Sequence, residues 1–298
     1  MAHGLALVLE PGSLTIVVNT GDDDRFHGLH VSPDLDSVMY TLAGEINPTT
    51  GWGLRDETYR VREALGLLGS ETWFTLGDRD LATHLRRTEL LAAGHTLSQA
   101  TEQLRRAYGV EHPVVPMTDD PVRTLVETDD GELRFQEYFV RLRHEPRVRG
   151  LRFEGAETAA PSTALHEALE AADAVVISPS NPFLSIAPIL ALPGIRERLT
   201  ALQGPRIVVS PIIGGEAVRG PAARLFQDLA GETASAVAVA RHYRGLGTHF
   251  VMDERDGTDR AEVESLGYAV TVTPTLMTGL AEKRALATVV CGLVGVAA

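Results

Sequence analysis

The second half of the chain alternates short apolar runs with longer stretches of helical periodicity. The apolar runs that are bounded by turn residues and have the length of buried strands lie at residues 173–177, 206–209, 248–252 and 268–272. Helical patterns of ordinary length separate them. Strands that alternate with helices in this way pair in parallel. The pattern therefore predicts an α/β fold with a doubly wound, mainly parallel, Rossmann-like sheet.

The first half of the chain has a less regular pattern. A short apolar run at residues 14–18 predicts a buried strand. Residues 55–108 are mostly helical, which predicts a helical insertion or cap. Apolar and polar residues alternate at 123–128 and 133–142, on either side of Asp129-Asp130-Gly131. This alternation predicts a small β-hairpin region.

Length and composition exclude several classes of protein. A chain of 298 residues is long enough for a single α/β domain, 1–298, with the helical segment inserted in it. Asp and Glu outnumber Lys and Arg by 40 to 27, for a formal net charge of -13, so no nucleic-acid partner is expected. The single cysteine, Cys291, excludes an internal disulfide and a cysteine-based metal cluster. The absence of a long apolar span and of a signal peptide predicts a cytoplasmic protein without a membrane segment.

An acidic stretch follows the first predicted strand. Asn19 is followed by Thr, Gly and the three aspartates from Asp22 to Asp24, and a second acidic pair, Asp34 and Asp36, comes soon after. Ligands of open α/β sheets bind beyond the carboxyl ends of the strands, and Mg²⁺ prefers carboxylate and phosphate oxygens. These acids therefore predict a metal-assisted site that handles phosphate. The alternative is structural, since aspartate is also a common turn and N-cap residue.

Two of the later predicted strands end in small, polar loops that precede helices. One loop reads Ser-Pro-Ser-Asn-Pro from residue 178, and the other reads Ser-Pro-Ile-Ile-Gly-Gly from residue 210. Backbone N–H groups and Ser or Asn side chains in such loops can bind phosphate. The candidate contacts are Ser180, Asn181, Ser210, Pro211, Gly214 and the nearby Arg219. The alternative is that both loops are ordinary turns with N-caps.

A compact polar cluster lies in the helical segment. Asp78, Arg79 and Asp80 are consecutive, and His84 follows on the same predicted helix, for which Asp80 can serve as the N-cap. Arginine can bind a phosphate through two hydrogen bonds, and the acids can contact a metal or a ribose. The alternative is a surface turn in which Arg79 pairs locally. The sequence contains no P-loop, no nucleophile elbow and no His-Glu-x-x-His motif.

Several stretches of the sequence, taken together, resemble one protein family. They are VVNTGDD from residue 17, PDLDSVMYTLAG from residue 33, GWGLRDET from residue 51, LGDRDLATHLRRTE from residue 76, FQEYFVR from residue 135, SPSNPFLSI from residue 178 and SPIIGGEAVRGPA from residue 210. The combination runs over nearly the whole chain. It resembles the 2-phospho-L-lactate transferase family of deazaflavin coenzyme F-420 biosynthesis, and actinobacterial-type members in particular.

The resemblance implies a transfer reaction. The terminal ribityl hydroxyl of the deazaflavin Fo attacks a donor phosphate that carries a phosphoenolpyruvyl or related three-carbon acid. GMP then leaves from the guanosine-pyrophosphate donor. Mg²⁺ is the implied cofactor, and a homodimer is the implied assembly.

The resemblance also implies roles for particular residues. Asp36 is the candidate catalytic residue, which grips the hydroxyl chain of Fo, and the candidate metal ligands are Asp22, Asp34 and Asp36. The loops that contain Ser180 and Ser210 are implied to hold the guanosine and the pyrophosphate. The other implied substrate contacts are Asn19, Thr75, Asp78, Arg79, Asp80 and His84.

The start of the sequence departs from the family's pattern. The resemblance implies a first strand and a Gly-rich, phosphate-binding loop ahead of the helix near Met1, and the sequence as given begins after both. A start codon assigned too late is one hypothesis, and an inactive member of the family is another. A third is a regulatory protein of the same superfamily that binds nucleotide sugars. The motifs at residues 52–58 and 77–84 favour the transferase.

Overall fold

The computed structural model describes residues 1–218 and 220–296. The chain forms two compact units. The first, here called the sheet unit, contains residues 1–10, 148–150 and the chain from His166 onward. The second, here called the acid unit, contains residues 11–147 and 151–165. The single domain with residues 55–108 inserted in it stays a prediction.

Both units contain strands and helices. Within the described residues the strands are β1 (Ile16–Val18), β2 (Asp24–Phe26), β3 (Leu29–Val31), β4 (Val114–Pro116), β5 (Arg123–Thr128), β6 (Gly131–Arg134), β7 (Val148–Glu154), β8 (Val175–Ile177), β9 (Arg206–Val209), β10 (Ile212–Ile213), β11 (Glu216–Ala217), β12 (His249–Met252) and β13 (Ala269–Val272). The α-helices are α1 (Ala2–Ala6), α2 (Pro33–Leu42), α3 (Arg60–Leu67), α4 (Asp78–Ala92), α5 (Leu97–Ala107), α6 (Thr163–Ala171), α7 (Ala187–Leu190), α8 (Ile195–Ala201), α9 (Ala222–Leu225), α10 (Ala236–His242), α11 (Arg260–Ser265) and α12 (Leu280–Leu293). Short π-helical turns cover Glu137–Arg141, Pro182–Ile186 and Phe226–Ala230, and a 3-10 helix covers Glu254–Asp259. In the part of the chain that the structure describes, no helix is both long and apolar enough to cross a membrane.

A parallel sheet forms the centre of the sheet unit. Its strands lie in the order β13-β12-β9-β8, and each neighbouring pair is parallel. Ile207 and Val208 of β9 and Phe250 and Val251 of β12 are completely buried, as is typical of the apolar strands of a parallel sheet. The prediction of a mainly parallel α/β fold is confirmed.

The polar loops all lie at one edge of this sheet, the edge at which its parallel strands end. The loops that follow β8, β9, β12 and β13 begin at Ser178, Ser210, Asp253 and Thr273. Because the strands are parallel, these loops leave the sheet at the same edge, which is where α/β folds bind ligands.

In the acid unit, β1 and β4 form a parallel pair, with Ile16 opposite Val114. The acidic stretch follows β1 and leads into the hairpin β2–β3, an element that the sequence pattern did not predict. α2 begins at Pro33, so Asp34 and Asp36 lie in its first turn. Proline suits the first position of a helix because the N–H group that it lacks would have no helical partner there.

The helices α3, α4 and α5 occupy most of residues 55–108. α3 buries none of its side chains, whereas α4 buries a largely polar face. The buried residues of α4 are Asp80, Thr83, His84, Arg87 and Leu90. This polar face brings several of the predicted site residues into the interior of the acid unit.

The predicted hairpin is present in the acid unit. β5 and β6 pair in an antiparallel manner, with Thr128 opposite Gly131 across a two-residue turn. Gly131 has a φ of 120°, a conformation that other residues rarely adopt. The strand predicted to continue to residue 142 is wrong beyond Arg134, because Glu137–Arg141 form a π-helical turn.

Candidate active site

Asn19 connects the end of β1 to the start of α2. Its side-chain oxygen accepts the N–H of Gly21 at 2.8 Å, and its Nδ2 donates to Asp34 Oδ2 at 3.2 Å. Asparagine in a turn commonly bonds the backbone two residues on. Asn19, which is buried, therefore shapes the acidic stretch and fixes the Asp34 carboxylate beside it.

The carboxyl groups of Asp22 and Asp34 lie close enough to repel each other. Burial raises the pKa of Asp22 well above its ordinary value and the charge of Asp34 raises it further, against the hydrogen bonding of Thr124 and Asn19. Burial also raises the pKa of Asp34 to about 6, and the charge of Asp23 adds to this rise. A bound cation would relieve both the repulsion and the cost of burying these charges.

Unmet hydrogen bonding at the same place also favours a bound cation. Although the Thr124 hydroxyl lies beside Asp22, neither Asp22 Oδ1 nor Thr124 Oγ1 completes a hydrogen bond of good geometry within the described residues. Buried polar atoms nearly always have a partner. A set of oxygen donors suits a hard cation such as Mg²⁺. The residues present at Asp22 and Asp34 therefore fit the predicted metal.

The neighbouring acids Asp23 and Asp24 already have partners in the protein. Ser32 Oγ donates to Asp23 Oδ2 at 2.6 Å, and His30 Nε2 lies 3.0 Å from the same oxygen. Arg134 Nη1 donates to Asp24 Oδ1 at 3.1 Å. Burial raises the pKa of Asp23, and the hydrogen bond and charge of His30 oppose that rise. Asp24 is therefore already paired, whereas Asp23 keeps one carboxylate oxygen, Oδ1, that completes no hydrogen bond within the described residues.

Asp36 forms a buried ion pair with Arg87. Arg87 Nη1 donates to Asp36 Oδ2 at 3.0 Å, and Arg87 Nη2 donates to Asp36 Oδ1. Both side chains are buried. Because both oxygens contact Arg87, the roles of Asp36 as a metal ligand and as the catalytic contact to substrate stay predictions.

The ion pair continues into a buried polar network on α4. The ring of His84 lies between two carboxylates, with Nδ1 3.6 Å from Asp36 Oδ2 and Nε2 3.2 Å from Asp80 Oδ2. Tyr40 OH donates to Asp80 Oδ1 at 2.7 Å. Burial alone would raise the pKa of Asp80, but the bonds from His84 and Tyr40 and the charge of Arg87 hold it below its ordinary value.

The composition of this network also matches a metal-ligand set. One ligand atom each from Asp36, Asp80 and His84 lies within 4.8 Å of the others. However, Arg87 Nη1 lies 3.3 Å from His84 Nδ1. The guanidinium group already supplies positive charge here and would repel a divalent cation. We therefore interpret this cluster as a polar core that holds Asp36 in place.

Asp78 caps a helix other than its own. Its carboxylate accepts the N–H groups of Arg60 and Val61 at the start of α3, both at 3.1 Å, and the hydroxyl of Thr58 at 2.5 Å. The bond from Thr58, followed by those from the backbone, lowers the pKa of Asp78. Asp78 therefore satisfies the N–H groups that a helix leaves without partners at its first turn.

Glu57 does the same for α4. Its carboxylate accepts the N–H groups of Arg79 at 2.9 Å and of Asp80 at 2.8 Å. A Cβ atom at Gly77 would lie 2.1 Å from Glu57 Cδ, so this contact requires glycine there. Arg79 Nη1 donates to the backbone oxygen of Arg55 at 2.7 Å. The prediction that Asp80 caps α4 is wrong, because its side chain bonds to the buried network.

The predicted residues of the acid unit therefore fall into separate groups. Asn19, Asp22 and Asp34 lie together at the end of β1. Asp36, Asp80 and His84 share the buried network. The remaining residues are Asp78 and Arg79, at the junction of α3 and α4, and the half-buried Thr75, in the loop before α4.

In the sheet unit, the loop after β8 has an N-cap. Asn181 Oδ1 accepts the N–H groups of Phe183 at 3.0 Å and Leu184 at 3.2 Å, at the start of a π-helical turn. The N–H of Ser180 donates to the carbonyl oxygen of Ser178 at 2.7 Å. The local geometry is therefore that of a capped turn, and the contacts of Ser180 and Asn181 to a nucleotide stay predictions.

The loop after β9 is also held by bonds of its own. Ser210 Oγ bonds to the backbone N–H and carbonyl oxygen of the residue two positions on, at 3.2 and 3.0 Å. The Gly214 N–H donates to both carboxylate oxygens of Asp256, at 3.0 and 3.1 Å. Pro211 is buried and has no N–H to offer. The sixth candidate, Arg219, lies outside the described residues.

Sequence reasoning missed two buried aspartates that follow β12. Asp253 Oδ2 accepts the N–H of Thr275 at 2.8 Å and its hydroxyl at 3.2 Å. Asp256 bonds to Gly214, as described above. The two acids connect the loop after β12 to the loops after both neighbouring strands. For Asp253 the available signal was its position directly after a buried strand, β12.

Comparison with known proteins decides the family. Residues 1–276 match the family described as 2-phospho-L-lactate transferase CofD. A 2-phospho-L-lactate transferase of Methanosarcina acetivorans is 41 % identical over 293 residues, which cover 98 % of this chain and 94 % of that protein. The chain belongs to the 2-phospho-L-lactate transferase family. The family that the sequence motifs predicted is confirmed.

Other relatives agree with this assignment. A phosphoenolpyruvate transferase of Streptomyces griseus is 43 % identical over 291 residues, which cover 96 % of this chain and 91 % of that protein. Two solved structures of BH3568 from Bacillus halodurans, one of them described as a member of the UPF0052 family, have TM-scores of 0.59 and 0.61 at 14 % identity. They cover 96 % and 97 % of this chain and 94 % and 93 % of their own chains, which shows a shared fold. As a member of the 2-phospho-L-lactate transferase family, the protein is a transferase.

Proposed function

We propose that this transferase moves a phosphoenolpyruvyl or 2-phospholactyl group from a guanosine-pyrophosphate donor to the terminal ribityl hydroxyl of the deazaflavin Fo, with release of GMP. The reaction is a step of coenzyme F-420 biosynthesis. The observation that carries this function is the acid pair formed by the buried Asp22 and the half-buried Asp34. In a chain with relatives named for transfer of phosphorylated acids, such a pair suits a metal ion that binds phosphate oxygens.

The transfer is a displacement at phosphorus. The ribityl oxygen forms a bond to the phosphorus that carries the acid, and the bond from this phosphorus to the bridging pyrophosphate oxygen breaks. GMP leaves with the electron pair, and the hydroxyl proton passes to solvent. Transition states of this kind have little need of a strong base, so the protein contributes mainly positioning and charge neutralisation.

Mg²⁺ is the proposed cofactor. Asp22 and Asp34 would hold it, with Asn19 keeping the Asp34 carboxylate in position. When bound, the ion neutralises charge on the phosphoryl oxygens. Arg87 holds the Asp36 carboxylate in place, and the remaining lone pairs of this carboxylate can accept a hydrogen bond from the acceptor hydroxyl. Asp36 therefore orients the acceptor and does not take its proton.

The sheet unit is proposed to bind the nucleotide part of the donor. The loops that contain Ser180, Asn181 and Ser210 leave the carboxyl ends of parallel strands, where α/β folds bind phosphates and nucleotides. Backbone N–H groups of such loops bind anions without a basic side chain, which suits a chain of net charge -13. A homodimer is the proposed assembly.

Turnover with Fo, the acid-bearing guanosine pyrophosphate and Mg²⁺ tests this function. The expected result is a deazaflavin product whose mass has increased by the phosphorylated acid, together with one GMP per product. Asp22→Asn and Asp34→Asn are expected to lower kcat about 100-fold or more, because the metal loses a charged ligand. Asp130→Asn, in the exposed hairpin turn, is the matched control and is expected to leave kcat unchanged.

Two results would count against this function. Binding of nucleotide or Fo without product would favour a regulatory binding protein. Full activity of both Asp22→Asn and Asp34→Asn would place the metal elsewhere. The dependence of kcat on Mg²⁺ concentration, measured for each variant, separates loss of the metal from loss of the fold.

A further inference from the structure

A small cleft lies beside the acidic stretch in the acid unit. Residues 21–24 line one side of it, and the other side is lined by the hairpin residues Arg123, Thr124, Arg134, Phe135 and Gln136. The cleft measures about 220 Å³, including the part that is open to solvent. Its lining therefore combines aspartates from the end of β1 with two arginine residues from the hairpin.

The two sides of the cleft are joined by hydrogen bonds. The N–H of Thr124 donates to the carbonyl oxygen of Gly21 at 2.6 Å. Gln136 Nε2 donates to the carbonyl oxygen of Asp22 at 2.9 Å. Thr124 and Gln136 are both buried. The hairpin is therefore fixed against the acidic stretch, and the cleft is part of the folded unit.

The cleft contains buried polar atoms that do not complete a hydrogen bond. Within the described residues, Asp22 Oδ1, Asp23 Oδ1 and Thr124 Oγ1 complete no hydrogen bond of good geometry, and Thr124 is only 2 % exposed. A hydroxyl group can donate one hydrogen bond and accept others. Leaving such a group buried without a partner is costly, so its presence in the lining indicates a ligand that completes the bonding.

Of the two arginines, Arg123 is the better placed for an anionic ligand. Arg134 Nη1 already bonds to Asp24 Oδ1 at 3.1 Å. Arg123 Nη1 lies 4.0 Å from Glu154 Oε2, and both of these side chains are about half exposed. Exposed ion pairs contribute little free energy. A carboxylate that enters the cleft can therefore replace Glu154 as the partner of Arg123 at small cost.

We propose that this cleft binds the carboxylate of the three-carbon acid carried by the donor, with Arg123 pairing with the carboxylate and the Thr124 hydroxyl donating a hydrogen bond to it. This assignment rests on the proposed function, because the acid is attached to the donor through its phosphate. A phosphorylated acid has two anionic groups. The phosphate suits the metal pair at Asp22 and Asp34, and the carboxylate suits Arg123.

The first test compares two nucleotides. The Kd values of guanosine diphosphate and of the acid-bearing guanosine pyrophosphate are measured by calorimetry with Mg²⁺ and without Fo. The wild-type protein is expected to bind the acid-bearing donor more tightly. Arg123→Ala is expected to weaken binding of that donor by about 10- to 100-fold, the loss of a charged hydrogen bond, and to leave the Kd of guanosine diphosphate within about twofold.

Matched variants separate recognition from folding. Arg152→Ala removes an arginine that also pairs with Glu154, at 3.5 Å, but does not line the cleft. It is expected to leave both Kd values unchanged. Thr124→Val removes the hydroxyl and should weaken binding of the acid-bearing donor, whereas Thr124→Ser keeps the hydroxyl and should restore it.

A second test needs no nucleotide. Binding of free phosphoenolpyruvate is compared with binding of inorganic phosphate, both with Mg²⁺. The wild type should prefer phosphoenolpyruvate, and Arg123→Ala should lose that preference. If the protein does not bind guanosine diphosphate, this result counts against the proposed donor. The comparison of phosphoenolpyruvate with phosphate then tests on its own whether the cleft binds a carboxylate. Equal affinity of the wild type for both anions, or a preference that survives in Arg123→Ala, would overturn the assignment.

Discussion

Arg87 on α4 and Asp36 in the first turn of α2 form a bidentate ion pair, and both side chains are buried. Arg87 Nη1 donates to Asp36 Oδ2 at 3.0 Å, and its Nη2 donates to Asp36 Oδ1. Arg87 is completely buried. The position of the Asp36 carboxylate is therefore set by α4 as much as by its own helix, and any contact of Asp36 with a substrate depends on Arg87.

Loss of Arg87 is expected to be costly. Arg87→Met removes the guanidinium group and leaves Asp36 buried without its counter-charge, which is expected to lower the free energy of unfolding by about 3–5 kcal/mol. The neighbour Arg86 forms an exposed pair with Glu89, so Arg86→Met is the control and should cost at most about 1 kcal/mol. Denaturant unfolding measures both changes.

A double variant keeps this test decisive if Arg87→Met does not fold. Asp36→Leu combined with Arg87→Met removes the unpaired charge as well, and it should recover much of the lost stability because apolar side chains can replace a buried pair. If Arg87→Met were no more destabilising than Arg86→Met, the ion pair would not hold the two helices together.

The raised pKa of Asp34 predicts how stability depends on pH. Its pKa rises from 3.8 to about 6, because burial disfavours the charged carboxylate. The folded protein therefore binds a proton at Asp34 more tightly than the unfolded chain does. The resulting stabilisation is fully present below about pH 4 and is lost as the pH rises through 6. Without metal, Asp34→Asn should raise the Tm at pH 7.5, by about 2 °C for each kcal/mol gained in the free energy of unfolding. This gain should vanish at pH 4.

Addition of Mg²⁺ should reverse the difference in Tm between Asp34→Asn and the wild type. The ion binds the ionised carboxylates, so it should raise the Tm of the wild type at pH 7.5 and have little effect at pH 4, where protons compete. Asp34→Asn should lose most of this shift. Asp130→Asn, in an exposed turn, should keep it. A wild-type Tm that does not respond to Mg²⁺ at pH 7.5 would argue against a metal at Asp22 and Asp34.

The parallel strands of the sheet unit could be predicted from the sequence because their apolar runs are continuous and flanked by turn residues. β9 begins and ends at the predicted residues, Arg206–Val209. The hairpin β2–β3 could not, since each of its strands has three residues, too few to show an alternating pattern. Its turn places His27 at a φ of 53° and Gly28 at 82°. Only the glycine is a recognisable signal for such a turn.

The buried face of α4 illustrates a different limit. Hydrophobic periodicity identifies the buried side of a helix when that side is apolar. Here Asp80, His84 and Arg87 lie inside, and a pattern of polar residues predicts an exposed surface. Their burial depends on partners on other elements, such as Asp36 and Tyr40. The sequence could therefore identify His84 and Asp80 as candidates, but it could not identify Arg87.

The carboxylates that cap α3 and α4, those of Asp78 and Glu57, give a further prediction. Glu57 accepts the N–H groups of Arg79 and Asp80, and loss of an N-cap carboxylate typically costs about 1–2 kcal/mol. Glu57→Ala is therefore expected to lower the free energy of unfolding by that amount. Gly77→Ala should have a similar effect, because the added methyl group would displace Glu57.

Glu63→Ala, at an exposed position on α3, is the control and should change stability much less. Asp78→Asn tests the predicted substrate contact at the same junction. A purely capping role would lower the Tm and leave the KM values unchanged. An increase in KM without a change in Tm would show that Asp78 contacts substrate.

Asp256 is expected to control the loop that follows β9. It bonds to the N–H of Gly214, at a turn where Gly214 and Gly215 have φ values of 59° and 80°. Asp256→Ala removes the acceptor and frees this turn. If Asp256 holds the loop in the conformation that binds the pyrophosphate, the variant should raise the Kd of guanosine diphosphate about 10-fold, since a ligand must then order a mobile loop.

Calorimetry with guanosine diphosphate and Mg²⁺ measures this effect, and Glu254→Ala, at an exposed position of the same 3-10 helix, is the control. The result separates two roles for Gly214. If its N–H binds phosphate directly, Asp256 competes with the nucleotide, and Asp256→Ala should bind guanosine diphosphate more tightly than the wild type. If Asp256 holds the loop in its binding conformation, the variant binds more weakly. An unchanged Kd would show that the nucleotide does not use this turn.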